Sequence, residues 1–171
     1  MRLVTFGLAN SLDNFIARAD EGTDWLVWDD EVAAISGAYW KTIDTVVMGR
    51  KTYEVAVKHG TTAYPGVKNY VFSQTLGPRD GVEVVTEDPV TFTRRLKQQP
   101  GKGICVMGGG ELANALLQAG LIDELGLNIQ PVLLGAGIPL FHGMDKQLDL
   151  ELIESRALKC GSVYVRYRIK A

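Results

Sequence analysis

The sequence predicts one α/β domain built on a mostly parallel sheet, and three observations predict it. Short apolar runs alternate with segments of helical period through much of the chain, the pattern of strands joined by crossover helices. Gly103 to Ala119 compresses that unit into a few turns of chain. There Ile104 to Met107 reads as a buried strand, Gly108-Gly109-Gly110 as a turn, and Leu112, Ala115, Leu116 and Ala119 as one face of a helix that Gly120 ends. Near the C-terminus two alternating segments flank a short turn, which predicts a hairpin that adds an antiparallel edge.

Taken in order, Leu3 to Ala9 reads as a buried opening strand. Asn10-Ser11-Leu12-Asp13-Asn14 carries turn chemistry, and the polar stretch to Asp24 is expected to form a mobile loop. Trp25 and Trp28 bracket the return of the chain, with Trp28 expected to anchor in the core. Asp29 or Asp30 can cap a helix that carries Val32, Ile35 and Tyr39 on one face and ends before Asp44. Thr45 to Met48 is the second strand, and Gly49-Arg50-Lys51-Thr52 turns into a short helix through Glu54 to Val57. Asn69 to Ser73 and Val82 to Thr86 are the next strands, parted by the Gly77 to Gly81 turn.

Asp88-Pro89 supplies a cap and a first-position proline to a helix carrying Phe92 and Leu96, which runs to Gln99. Beyond the glycine-rich unit, Leu125, Leu127 and Ile129 alternate with Gly126, Asn128 and Gln130, giving that strand a buried face and a more polar one. Pro131 to Phe141 is a glycine-punctuated connection. Leu148, Leu150 and Leu152 alternate with Asp149 and Glu151. After a turn at Lys159 to Ser162, Val163, Val165, Tyr167 and Ile169 alternate with Arg166, Arg168 and Lys170.

Composition narrows the function classes. A chain of 171 residues is one domain, able to bury roughly two thirds of its unfolded surface. A net charge of −2 gives no long-range pull toward nucleic acid or an anionic membrane. Cys105 and Cys160 make no disulfide framework and fit a reducing cytoplasm, and no leader or spanning segment is visible. His59 and His142 stand in no metal-ligand spacing, and no serine sits in a nucleophile elbow.

Three loops lie at the carboxyl ends of predicted strands: Gly49 to Thr52, Ser73-Gln74-Thr75, and Gly108 to Gly110. Open α/β sheets bind ligands outside those ends. Arg50 and Lys51 can pair with phosphate, Thr52 and Ser73 offer hydroxyls, and the glycines let a helix N-terminus approach a pyrophosphate. Each loop alone is as readily a solvated turn; together they describe a site for a phosphorylated nucleotide. Asp29, Asp30 and Glu31 suit a helix start, and Asp30 is the one acid placed to face a pocket.

Val47 to Glu54, Val71 to Gln74 and Val106 to Leu112 resemble the dihydrofolate reductase superfamily in order and spacing. Ser11 to Ala17 and Pro131 to Phe141 resemble one branch of it, the riboflavin-pathway reductase domain and its stand-alone bacterial relatives. The resemblance implies an eight-stranded sheet, helices on both faces, and an NADPH site. It assigns Arg50, with Ser73 and Gln74, to the adenosine 2′-phosphate, and Gly49, Lys51 and Thr52 to the approach of the phosphates. Met107 through Gly108, Gly109, Gly110, Glu111 and Leu112 would form the pyrophosphate cradle. Ala9 would bond the nicotinamide carboxamide, with Ile16 near that ring and Trp25 closing the loop over substrate.

The superfamily's pterin-binding carboxylate falls on Ala33 here, so dihydrofolate is not the expected substrate. Asp30, one helical turn earlier, is the candidate acid, with a pocket water as the alternative; Asn128 and Gln130 face the substrate. The expected activity is NADPH-dependent hydride transfer to a small polar heterocyclic or carbonyl compound. The alternatives are the ribosylaminopyrimidine reduction of riboflavin synthesis and a nucleotide-binding module without turnover. The resemblance further implies a homodimer, which the apolar run of Leu134, Ile138, Leu140 and Phe141 and the C-terminal strands would join.

Overall fold

The computed structural model of the protein describes residues 1–170. The chain runs β1 (Val4–Ser11), β2 (Phe15–Ala17), α1 (Asp30–Trp40), β3 (Ile43–Gly49), α2 (Arg50–Lys58), β4 (Lys68–Phe72), β5 (Glu83–Val85) and α3 (Pro89–Gln98). It continues with β6 (Gly103–Gly108), α4 (Gly110–Gln118), β7 (Glu124–Gln130), β8 (Ile138–Pro139), β9 (Leu150–Ala157) and β10 (Val163–Ile169). Eight strands form one sheet in the order β5-β4-β3-β6-β1-β7-β10-β9. The first six lie parallel, and β10 and β9 close the sheet antiparallel as the alternation predicts.

Alternation along each strand sorts the core into two layers. Val4 and Phe6 of β1, Val47 of β3, Ile104 and Val106 of β6, and Leu125 and Leu127 of β7 pack with Phe92 and Leu96 of α3 and Leu112 and Leu116 of α4. The opposite face carries Val46, Met48, Val71 and Cys105 against Tyr53 of α2 and Tyr39 and Trp40 of α1. Helices therefore cover both faces. Local chemistry starts three of them where the sequence places them. The Asp29 carboxylate accepts from the Val32 N–H, Asp88 does the same for Thr91 ahead of Pro89, and Gly49 precedes α2 in extended backbone.

Three expectations are corrected. The stretch after Asn14 is not wholly loop, because Phe15–Ala17 pairs with Ile138–Pro139 in a small second sheet. Contacts between distant residues hold it: Asp13 accepts from the N–H groups of Leu134 (3.1 Å) and Gly135 (2.8 Å), and Leu140 N–H donates to Asn14 O (2.8 Å). The same pairing turns the Pro131 to Phe141 connection inward. Leu140 is 2% exposed, and Phe141 meets Phe6 edge to face at 6.2 Å. Leu140 is thereby withdrawn from the surface, while Leu134, Ile138 and Phe141 stay half-buried. Lastly, Trp28 is 68% exposed rather than anchored. Its neighbours fix the backbone on both sides, Val27 N–H on the Gln130 amide oxygen and Asp29 as the cap of α1, and the indole projects outward between them.

Candidate active site

The carboxyl ends of β3 and β6, neighbours in the sheet, bring the first and third of the strand-end loops together. Gly109, at φ 92°, sits so close to the end of β3 that a Cβ on it would lie 3.5 Å from the backbone N and Cα of Gly49. A Cβ on Gly108, at φ 133°, would lie 3.6 Å from the Thr52 hydroxyl. Both φ values lie in the region L side chains rarely adopt, so the turn needs glycine at both positions. Gly110 is glycine for another reason: a Cβ there would run into the His142 imidazole. The first N–H to bond back along α4 is that of Ala113, to Gly109 O. The N–H groups of Gly110, Glu111 and Leu112 thus have no partner within the helix and suit an anion beside the turn. The Leu112 side chain is buried in the core, so only its backbone is available.

At the start of α2, Lys51 is exposed, and Arg50 donates from Nη1 to Glu54 Oε1 at 2.8 Å. The Ser73 hydroxyl accepts from the N–H groups of Thr75 (3.2 Å) and Leu76 (2.9 Å), folding the turn after β4 while its own proton remains to be donated. Gln74 is exposed, and its Nε2 donates to Thr86 O at 2.6 Å, tying that turn to the end of β5. The arrangement fits a dinucleotide phosphate chain: free N–H groups and glycine backbone at one side, two cations and a hydroxyl at the other.

The substrate side is assembled from β1, β7 and the segment before α1. Ala9 lies opposite Asn128 in the β1–β7 ladder, and Met107 is half-buried at the end of β6. Asn128 is half-buried, and its Oδ1 has no hydrogen-bond partner. Ile16, on β2, packs against the larger core cluster. Trp25 is half-buried and donates from Nε1 to Gly22 O at 3.2 Å. Asp30 is exposed in the first turn of α1, and Ala33 is exposed three residues on, so the two share a helix face.

Gln130, expected as a substrate contact, is buried, and its Nε2 has no hydrogen-bond partner. The residue is 1% exposed, and its Oε1 accepts from Val27 N–H at 3.0 Å. That bond holds the segment before α1 against the end of β7. Two contributors were missed from sequence. Glu54 stands four residues from Arg50, a spacing that signals a helical ion pair. His142 reaches Gly110 only through tertiary packing and left no local signal.

The buried polar groups on the α1 side are structural. Burial pushes the Cys105 thiol up to about 11, against the opposing hydrogen bond from Tyr39, so it is no nucleophile at neutral pH. Burial likewise raises the Tyr39 phenol, which bonds Thr5 Oγ1. Among the described residues, no three His, Cys, Asp or Glu side chains gather as metal ligands. No helix among them is long and apolar enough to cross a membrane.

Comparisons with known proteins agree with this fold. The uncharacterized protein YwjB of Bacillus subtilis (strain 168) is 38% identical over 149 residues, 85% of this chain and 86% of that one. A crystal structure from Shewanella sp. PV-4, assigned provisionally to riboflavin biosynthesis, superposes with a TM-score of 0.87 at 26% identity, covering 99% of both chains. Dihydrofolate reductase from Enterococcus faecalis, solved with NADP(H), shares the fold at a TM-score of 0.73 and 18% identity, over 99% of this chain and 97% of that one. The sequence profile of the RibD C-terminal domain matches residues 2–164. With its dihydrofolate-reductase-like sheet and this match over nearly its whole length, the chain belongs to the RibD C-terminal domain family.

Proposed function

We propose that the protein is an NADPH-dependent reductase that delivers hydride to a small polar heterocyclic or carbonyl substrate. The observation that carries the reading is the meeting of the β3 and β6 ends, where Gly49 backs onto Gly109 and Thr52 onto Gly108 beside the free N–H groups of α4. That cradle takes the pyrophosphate. Arg50, Lys51 and Ser73 take the 2′-phosphate, and Ala9 offers its backbone to the carboxamide. Bound NADPH supplies the hydride; the chain binds, orients and excludes water. Asn128, half-buried opposite Ala9 in the β1–β7 ladder, lines the substrate side. Asp30, exposed at the start of α1, donates the proton directly or through water.

The family membership favours a second reading, reduction of the phosphorylated ribosylaminouracil of riboflavin biosynthesis. Against it, the arginines Arg156, Arg166 and Arg168 on the β9–β10 hairpin stand beside Glu154, Glu124 and Glu151 and form no free cluster for a second phosphate. One experiment tests both readings. NADPH is titrated by fluorescence, and its oxidation at 340 nm is then followed with a panel holding the ribosylaminouracil, small lactams, aldehydes and dihydrofolate. Tight NADPH binding with turnover of a lactam or aldehyde supports the proposal, and turnover of the ribosylaminouracil alone supports the second reading. No binding of either dinucleotide defeats it.

The protein also forms a homodimer in this reading, through the β9 edge. Leu150 and Leu152 are 39% and 53% exposed there. An antiparallel pairing of two copies about Ile153 and Glu154 sets Glu151 opposite Arg156 twice, a self-complementary edge. Light scattering at micromolar concentration tests it, and the 18.7 kDa monomer mass would rule it out.

A further inference from the structure

Arg50 does not stand free at the start of α2. Its partner Glu54 lies 2.8 Å away, and the two side chains are 41% and 44% exposed. With Tyr53 and Val57, Glu54 forms one wall of a cleft of about 560 Å³ whose other wall includes Leu76, Arg79 and Asp80. Leu76 belongs to the turn that the Ser73 hydroxyl folds, so the cleft lies between α2 and the connection leaving β4. The cleft carries Arg79 against Glu54 and Asp80, and Arg50, no part of its wall, stands at its edge through the pair with Glu54. A dianionic phosphate that approaches Arg50 meets a guanidinium already shared with a carboxylate.

We infer that Glu54 is a specificity-determining residue, a carboxylate that limits the preference for a 2′-phosphorylated dinucleotide over its unphosphorylated form. The inference rests on the reading that Arg50 meets the 2′-phosphate. Glu54 acts on that contact in two opposite ways. As an anchor it orders the Arg50 side chain, and an exposed pair at this spacing is worth about a twofold change in an equilibrium. As a charge it repels a phosphate held by the same guanidinium. One charge acting on a dianion held by the same guanidinium at a protein surface, screened at physiological salt, would change binding by about three- to tenfold. Repulsion is the larger effect.

Glu54→Gln keeps the shape and an acceptor for Arg50 while removing the charge. The NADPH dissociation constant should fall about three- to tenfold and that of NADH should not move. The gain should shrink as salt is raised. Unchanged or weaker NADPH binding overturns the inference, as does an equal tightening of NADH. Arg50→Gln, measured alongside, separates the two levels of the argument. If it leaves NADPH affinity untouched, the reading of Arg50 and the role of Glu54 both fall. If it weakens NADPH while Glu54→Gln fails to tighten it, only the role of Glu54 falls.

Discussion

Gly109→Ala and Gly110→Ala are adjacent, chemically identical changes that meet different obstacles, backbone strain at Gly109 and the movable end of the exposed His142 side chain at Gly110. At Gly109 the backbone lies at φ 92° and ψ 101°, where alanine is strained although an added Cβ would only touch the main chain of Gly49 at 3.5 Å. Holding alanine in such a conformation costs about 1–3 kcal/mol. The stiffer unfolded chain offsets about 0.4–1 kcal/mol of that, leaving a net loss of about 1–2 kcal/mol. For a chain of this size the melting temperature should drop by about 3–6 °C. If the turn relaxes to relieve the strain, it moves the cradle, and NADPH affinity should fall at least about tenfold.

Gly110 has no positive φ, and it opens a helix where alanine is welcome. Its only obstacle is the exposed His142 imidazole. Gly110→Ala should therefore be rescued by His142→Ala in the double variant, whereas Gly109→Ala should not. Denaturant midpoints at constant m, together with fluorescence titration of NADPH, read both effects. The reasoning is refuted if Gly109→Ala leaves midpoint and affinity unchanged, or if removing His142 restores it.

Other outcomes follow from single contacts. Arg50→Ala should raise the NADPH dissociation constant at least about tenfold, since a charge-assisted bond contributes about 1.5–3 kcal/mol, and leave NADH binding intact; equal losses for both dinucleotides would contradict it. Leu140→Ala, at a side chain 2% exposed, should cost about 3 kcal/mol and lower the melting temperature by about 6–12 °C; a change under about 2 °C would show that the 131–141 connection is not packed as described. Asp44 supplies a pH dependence. Burial works against its carboxylate, yet the Lys102 N–H, the Thr45 hydroxyl and the Arg2 guanidinium together hold its pKa below the ordinary 3.8. Its contribution is present above that value and lost as pH falls through the folded-state pKa. Asp44→Asn should lower stability at neutral pH and flatten the acid limb of the stability profile below about pH 4; an acid limb as steep as in wild type would be the contrary result.

What the sequence determined by itself was the set of elements whose causes are local. The Asp29 and Asp88 caps, Pro89 at a first helical position and the alternation of Val163 to Ile169 each act within a few residues, and each element formed where expected. The glycine turn was legible for the same reason, because positive φ at Gly108 and Gly109 is a demand on single residues. Tertiary structure alone decided whatever rests on partners far apart in the chain. Asp13 recruits the backbone of Leu134 and Gly135, so Phe15–Ala17 becomes a strand although its own residues carry no strand period. Gln130, polar and on the expected substrate face, is buried, with its Oε1 accepting from the Val27 N–H, a partner far away in the chain. Trp28 is large and apolar, and periodicity cannot show that backbone anchors on either side turn it outward. Leu140 and Phe141 look like a free apolar surface until the core takes in the first and Phe6, distant in sequence, meets the second. Burial is a property of the assembled sheet and its neighbours, and a one-dimensional pattern records only which residues are able to be buried.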